Sequence, residues 1–361
     1  MHLKGNKGEW SEIYTLLKLL GDGEVYAGDE KMNKISDLFF PIIMILRVEQ
    51  GSLFKYINSA RNIIIEKEDG TRLLQLSAYD FLSEAIKLLT QIKKGKGAFE
   101  LPQTEEFLRK INCSSLKASS RDKVDIRVVL HDRRTNMDSE MGFSIKSQIG
   151  GRSTLLNASS ATNVSYKIAG THLSDSDILE INSIDTKNKI KDRFDSIKRR
   201  GGILIFDNID SNTFLNNLKM LDYCLPQIVA SLLQIRLEHG ENDMKELLKL
   251  ITKENPLNFE QSCAFSFYEY KIKHLLTAVA LGMMPSIKWG GQFAANGGYL
   301  VVKEDGEILC YRFYDRNRFE DYLLSNTYID SPSTERHGYG KIIKQENGTI
   351  IFKLNIQIRF K

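Results

Sequence analysis

KVDIRVVL at residues 123–130 and EMGFSIKSQIG at residues 140–150 decide how this chain is read. Both alternate with period two, the signature of a strand with two chemically different faces. Val124, Ile126 and Val128 fall on one face of the first, Asp125 and Arg127 on the other. In the second, Phe143, Ile145 and Ser147 oppose Gly142, Ser144, Lys146 and Gln148. The connecting HDRRTNMDSE lets the two segments pair as a hairpin, which brings Asp125 towards Lys146. A carboxylate can hold a hard divalent cation through oxygen. Such a cation polarises a phosphate and acidifies bound water, while a lysine offers positive charge to the developing transition state. One carboxylate binds Mg²⁺ poorly, so a second acid should converge; Glu12, Glu9 and Glu140 are the candidates. Taken alone, an Asp beside a Lys on adjacent strands is more often a surface ion pair.

The reading extends outward from this hairpin. NKGEWSEIYTLLKLL at 6–20 is an amphipathic helix, with Ile13, Leu16, Leu17 and Leu20 on one stripe. Asn6 is its N-cap, Glu9 completes a capping box, and Gly21-Asp22-Gly23 ends it. NIIIEKE at 62–68 reads as a strand, Asp69-Gly70 as a turn, and Leu73–Leu76 as the returning strand. Helices follow near 78–92 and 103–110, and later at 187–198, 213–238, 241–253 and 265–283, with a strand at 201–209. The tail is β-rich, with Asn347-Gly348 as a hairpin turn. The fold class is therefore α/β: a mixed central sheet flanked by helices, with a C-terminal helical and β-rich elaboration. The expected division is a catalytic core over 1–210 and a recognition and dimerisation region over 211–361.

Composition limits the alternatives. With 361 residues, 42% apolar and 27% charged, the chain is ordinary globular material and not a disordered one. Its net charge of +4 is too small to argue for nucleic acid, so a basic surface must come from clustering. Cys113, Cys224, Cys263 and Cys310 are widely spaced without a CxxC or CxxH pattern, so neither zinc nor a disulfide framework is expected. Reduced thiols fit a cytoplasmic protein. No apolar run approaches the roughly 18 residues of a membrane span.

The pattern Asp125 … Ser144-Ile145-Lys146 resembles the PD-(D/E)xK nuclease motif, with Val124 where proline is usual and Ser144 where glutamate is usual. The resemblance implies that an acid from elsewhere completes the site. KGEWSE at 7–12 is similar to the superfamily's N-terminal helix, and Glu12 is favoured over Glu9, which has a capping role available. The stretches GNKGEWSEIYTLLKLL (5–20), GFSIKSQIGG (142–151), STLLNASSATN (153–163), KIKHLLTAVALGM (271–283), GGYLVVKEDGEILCY (297–311) and STERHGYGK (333–341) together resemble the HpaII family of type II restriction endonucleases. That resemblance implies a Mg²⁺-dependent homodimer cutting a short palindrome in double-stranded DNA, with CCGG expected. It also implies a cognate cytosine methyltransferase as genetic partner.

Two segments have the chemistry to touch DNA. Gln148, Arg152, Thr154, Asn157 and Asn163 follow the catalytic strand and offer amides, hydroxyls and a guanidinium. Arg336 can grip a guanine edge bidentately, with His337 beside it and Glu335 able to accept from a cytosine amine. The competing readings are a non-specific repair or defence nuclease, and a nuclease-fold DNA-binding protein that no longer cleaves.

Overall fold

The computed structural model describes residues 2–117, 124–293 and 295–361. The chain forms a mixed α/β protein of two compact units. Unit 1 comprises Met1–Ser153 with Phe293–Tyr322; unit 2 comprises Thr154–Gln292 with Leu323–Lys361. The expected boundary near 210 thus falls inside unit 2. The reason is a long-range return of the chain, which local periodicity does not register.

Unit 1 contains three main helices, α1 (Lys7–Asp22), α2 (Ala78–Lys94) and α3 (Pro102–Lys110). The strands of its main sheet are β1 (Glu24–Gly28), β2 (Lys34–Glu49), β3 (Ser52–Ser59), β4 (Asn62–Lys67), β5 (Arg72–Ser77), β6 (Ile126–Asp132), β7 (Met137–Ser147), β8 (Gly298–Val302) and β9 (Ile308–Arg312). They form one nine-stranded sheet in the order β1-β9-β8-β7-β6-β2-β3-β4-β5. An added β1–β2 pairing closes six of these strands on one another. The sheet is mixed: β8 runs parallel to β7 and β9 parallel to β1, while the other pairs are antiparallel.

The long β2 carries Pro41 inside an apolar run. Proline survives there because β2 exchanges partners at that point. Pro41 lies opposite Glu24 of β1, and Ile42 already faces Leu130 of β6. The missing amide falls at the handover rather than inside one ladder. At the other margin, Gly298 begins β8 with φ of 99°, and a Cβ there would sit 2.2 Å from the Tyr311 carbonyl oxygen. Glycine is the residue that permits this approach.

Helix α1 lies against the sheet through Ile13, Leu16, Leu17 and Leu20, all fully buried. The expected caps are present: Asn6 and Glu9 bond reciprocally, and Gly23 takes the left-handed conformation at the C-terminus. Phe143, Ile126, Val128, Leu130, Leu300 and Val302 belong to the same core. The apolar faces of β6, β7 and β8 therefore point towards α1.

Unit 2 carries two antiparallel sheets. One orders Ile203–Ile209, Asn163–Ala169, Ile350–Asn355 and Ile342–Lys344. The other orders Thr154–Leu156, Gln357–Phe360 and Thr327–Asp330. The helix expected over 213–238 is two helices, Asn212–Leu221 and Leu225–His239. The break comes where Pro226 restricts its predecessor and the Asp222 carboxylate accepts from the Cys224 amide at 2.9 Å.

Candidate active site

Asp125 immediately precedes β6, and its amide donates to the Phe143 carbonyl at 3.0 Å. The paired register of the hairpin ends with Ile126 opposite Phe143, and Asp125 lies just beyond it. One carboxylate oxygen of Asp125 accepts from the Ile145 amide at 2.7 Å. Burial raises the Asp125 pKa; that amide, Lys146 and Lys117 oppose the rise without cancelling it. Lys146 stands on β7 opposite Val301, its ammonium 4.9 Å from the centre of the Tyr299 ring. Burial lowers its pKa against the pull of Asp125 and Glu12. The strand expected from Lys123 begins at Ile126, and residues 118–123 lie outside the described residues.

Glu12 comes from α1. The Ser11 and Ser147 hydroxyls are hydrogen-bonded at 2.8 Å, and the Lys7 ammonium donates to the carbonyls of Lys93 at 2.9 Å and Ile149 at 3.4 Å. These bonds fasten the first turns of α1 to the end of β7 and to the last turn of α2. Burial and then the charge of Asp125 push the Glu12 carboxyl up to about 8; Lys117 and Arg47 pull against them. Glu12, Asp125 and Lys146 thus act on one another in a poorly solvated place.

The other two acids are occupied elsewhere. Glu9 accepts from the Asn6 amide at 2.8 Å and pairs with Lys117 at 3.0 Å. Glu140 stands opposite Val129, exposed, 3.6 Å from Arg127. Ser144, opposite Tyr299, is buried.

Two neighbouring cations escaped the sequence reading. Lys117 follows a segment that a buried ion pair secures: Arg47 pairs with Glu49, and Glu49 accepts from the Ser114 amide at 3.1 Å and its hydroxyl at 2.6 Å. Arg47 also donates to the Ser115 carbonyl. The available signal was Arg47 and Glu49 at i, i+2 in an apolar strand, where charges on one face need partners. Nothing in the spacing around Lys117 marks it.

The residues chosen for DNA lie in different settings. The Gln148 amide donates to the Met32 sulfur at 3.4 Å. Arg152 is exposed at the end of unit 1. Thr154 opens a strand opposite Arg359, and Asn157 is exposed just beyond that strand. Asn163 is 4% exposed; its amide donates to the His337 carbonyl at 2.9 Å and its oxygen accepts from Asn355 at 2.6 Å. That side chain serves the fold of unit 2. Arg336 is exposed and His337 half-buried, on a single helical turn, Thr334–His337, that Ser333 caps.

Two carboxylates with raised pKa values offer oxygen ligands with unrelieved mutual repulsion beside one half-buried ammonium, and such a pair of acids suits a hard divalent cation. Among the described residues, the one close group of three metal-ligating side chains is Glu238, His239 and Glu254, all exposed, with Glu238 2.9 Å from Lys198.

The model of the HpaII restriction endonuclease family matches residues 6–360. The chain belongs to that family. It is 45% identical to the type II restriction enzyme HpaII of Haemophilus parainfluenzae, over 99% of this chain and 98% of the relative. No solved structure matches. As a member of the HpaII family it is a type II restriction endonuclease, a site-specific deoxyribonuclease, and enzymes of this type generally use a divalent metal. Among the described residues, no helix is long and apolar enough to cross a membrane.

Proposed function

We propose that Asp125, Glu12 and Lys146 are the hydrolytic centre of a PD-(D/E)xK-type nuclease core, with Mg²⁺ held by Asp125 and Glu12. The observation that carries this reading is the convergence of three elements at one end of the hairpin: the Asp125 carboxylate on the Ile145 amide beside Lys146, and α1, with Glu12, tied to β7 through Ser11 and Ser147. Bound Mg²⁺ would polarise the phosphate and acidify water. Asp125 is steered by the Ile145 amide, and Glu12 by the attachment of α1 to β7. Lys146, its proton loosened by burial, can hold the attacking water and meet the charge that gathers on the phosphate oxygens. Glu12 takes the place left by Ser144.

The substrate is double-stranded DNA with a short palindrome, CCGG being the sequence that the family resemblance implies. Cutting both strands of a palindrome calls for two centres related by a dyad, hence a homodimer. A cytosine methyltransferase would protect the host DNA in the same cytoplasm. For base and backbone contacts we keep Gln148, Arg152, Thr154, Asn157, Arg336 and His337.

The test is digestion of phage DNA with Mg²⁺. Discrete fragments that vanish when CCGG is cytosine-methylated are expected, and Lys146→Ala should stop cutting while duplex binding persists. A smear of products would point to a non-specific nuclease. Tight binding by the wild type with no cleavage in any divalent metal would make it a DNA-binding protein and sink the assignment.

A further inference from the structure

Unit 2 contains a cavity of about 590 Å³ bounded by residues 187–191, Arg236 and Ser331–Glu335. Its walls carry Lys187, Lys189, Lys191 and Arg236 against a single carboxylate, Glu335. Lys189 and Lys191 each have an aspartate four residues away, Asp185 and Asp195, both at 2.9 Å. Lys187 has no ion pair among the described residues. Arg236 is the more telling group. Its Nε donates to the Asn242 side-chain oxygen at 2.8 Å and its Nη2 to the Ser331 hydroxyl at 2.5 Å, both neutral acceptors. No carboxylate lies within 4 Å of it among the described residues.

A guanidinium in this position has lost much of its water without gaining a counter-charge. Burial accordingly lowers its pKa, with Tyr339 and Asp330 opposing only in part. An incoming anion therefore gains more here than at an exposed arginine. The first turn of the helix Lys189–Arg199 lines the same cavity, and its cap residue Asn188 makes no side-chain capping bond. The positive end of the peptide dipoles adds to the lysine charges.

We infer that this basic groove binds the phosphodiester backbone of DNA, as a sequence-independent hold by unit 2. The inference rests on the DNA-cleaving reading above and adds a binding site to it. The cavity is far larger than one phosphate, and its lysines are spread over positions 187, 189 and 191 of the lining, apart from Arg236. Lysines so spread suit a chain of phosphates, and Arg236 supplies the fixed bidentate contact within it.

The experiment measures fluorescence anisotropy of the full-length protein with a labelled 30-base-pair duplex over a salt series. The variants are Lys187→Glu and Arg236→Gln, each checked by thermal melting. Lys187 makes no bond that its replacement would break, so it keeps the test valid should Arg236→Gln melt early. We expect each variant to lose about five- to tenfold in affinity, equally for duplexes with and without the target site. The salt dependence should fall by about one phosphate contact. Millimolar inorganic phosphate should compete weakly. A wild type that cuts DNA beside variants of unchanged affinity and salt slope overturns the groove alone. Strong competition by inorganic phosphate, with duplex affinity unaffected by the substitutions, makes it a small-anion site and overturns it too. A wild type that does not bind duplex DNA removes the reading beneath it.

Discussion

The hairpin of β6 and β7 has two charged ends, and they are built on opposite principles. At the end near the turn, Asp132 is 5% exposed and accepts from Arg312 at 2.7 Å and from Arg134 at 3.0 Å. Arg134 reaches on to Asp315 at 2.7 Å. The guanidinium of Arg134, then that of Arg312, hold Asp132 far below the usual carboxylate range. At the other end, Asp125 and Glu12 share one desolvated lysine, and both are pushed upward. Both ends use acids and bases in the same two strands. The count of partners separates them: a satisfied carboxylate fastens the fold, and an unsatisfied pair leaves repulsion that the proposed cation would relieve.

The sharpest way to break this comparison is to neutralise each end. Asp125→Asn or Glu12→Gln should slow cleavage by at least about 10²–10³-fold, as removal of a group that stabilises transition-state charge does. Folding should survive, because each change removes repulsion. Single-turnover assays and melting curves give both answers, and a Glu12→Gln enzyme of normal rate would remove Glu12 from the centre. Asp132→Ala should do the reverse. Leaving Arg312, 4% exposed, without its counter-charge should cost about 3 kcal/mol in urea denaturation, with cleavage per folded molecule retained. A stable but inactive Asp132→Ala would erase the distinction between the two ends.

The contrast also bears on what the sequence could convey. The hairpin, its faces and the capping box at Asn6 and Glu9 were legible because each depends on residues a few positions apart. The pairing of β8 with β7 was not, since Gly298 and Phe143 meet across more than a hundred residues. For the same reason the return of Phe293–Tyr322 to unit 1 leaves no local trace in the sequence. Asp125 and Lys146 could be read from one hairpin. Glu12 needed the family resemblance as well, for alternation alone did not separate it from Glu9 or Glu140. Lys117 could not be read at all: it reaches the carboxylates through a loop held by Arg47 and Glu49, a tertiary arrangement without a local pattern. Asn163 was misleading because a polar residue in a polar run looks available, whereas pairing with Asn355 buries it.

A smaller effect is expected in the pH dependence of the metal-free protein. A carboxyl whose pKa is raised from 4.5 to about 8 binds its proton more tightly folded than unfolded. Stability therefore falls as pH climbs from about 4.5 to about 8, and the penalty is absent below that window. Asp132 works oppositely, adding stability above its ordinary pKa of 3.8 that is lost only in acid. Between pH 5 and pH 8.5, wild type should lose about 2 kcal/mol relative to Glu12→Gln, allowing for water that reaches a half-buried group. Parallel denaturation profiles for the two proteins would mean that Glu12 is ordinarily solvated.

The smallest expected effect belongs to Lys117, and it sharpens the comparison most finely. Its side chain is 64% exposed, and it touches Glu9 rather than the paired acids. It acts on Glu12 and Asp125 through space, lowering both. Lys117→Gln should therefore shift the alkaline rise of activity upward slightly and reduce the rate at pH 7 by about two- to fivefold, within the range of an exposed ion pair. Raising salt to about 0.5 M should largely abolish the difference, since exposed charges are screened over a few ångströms there. The loss in Lys146→Ala should persist in that salt, because its half-buried ammonium is screened less than the exposed Lys117. If Lys117→Gln were as inactive as Lys146→Ala at every salt, Lys117 would be a direct participant, and the unsatisfied end of the hairpin would hold two working lysines instead of one.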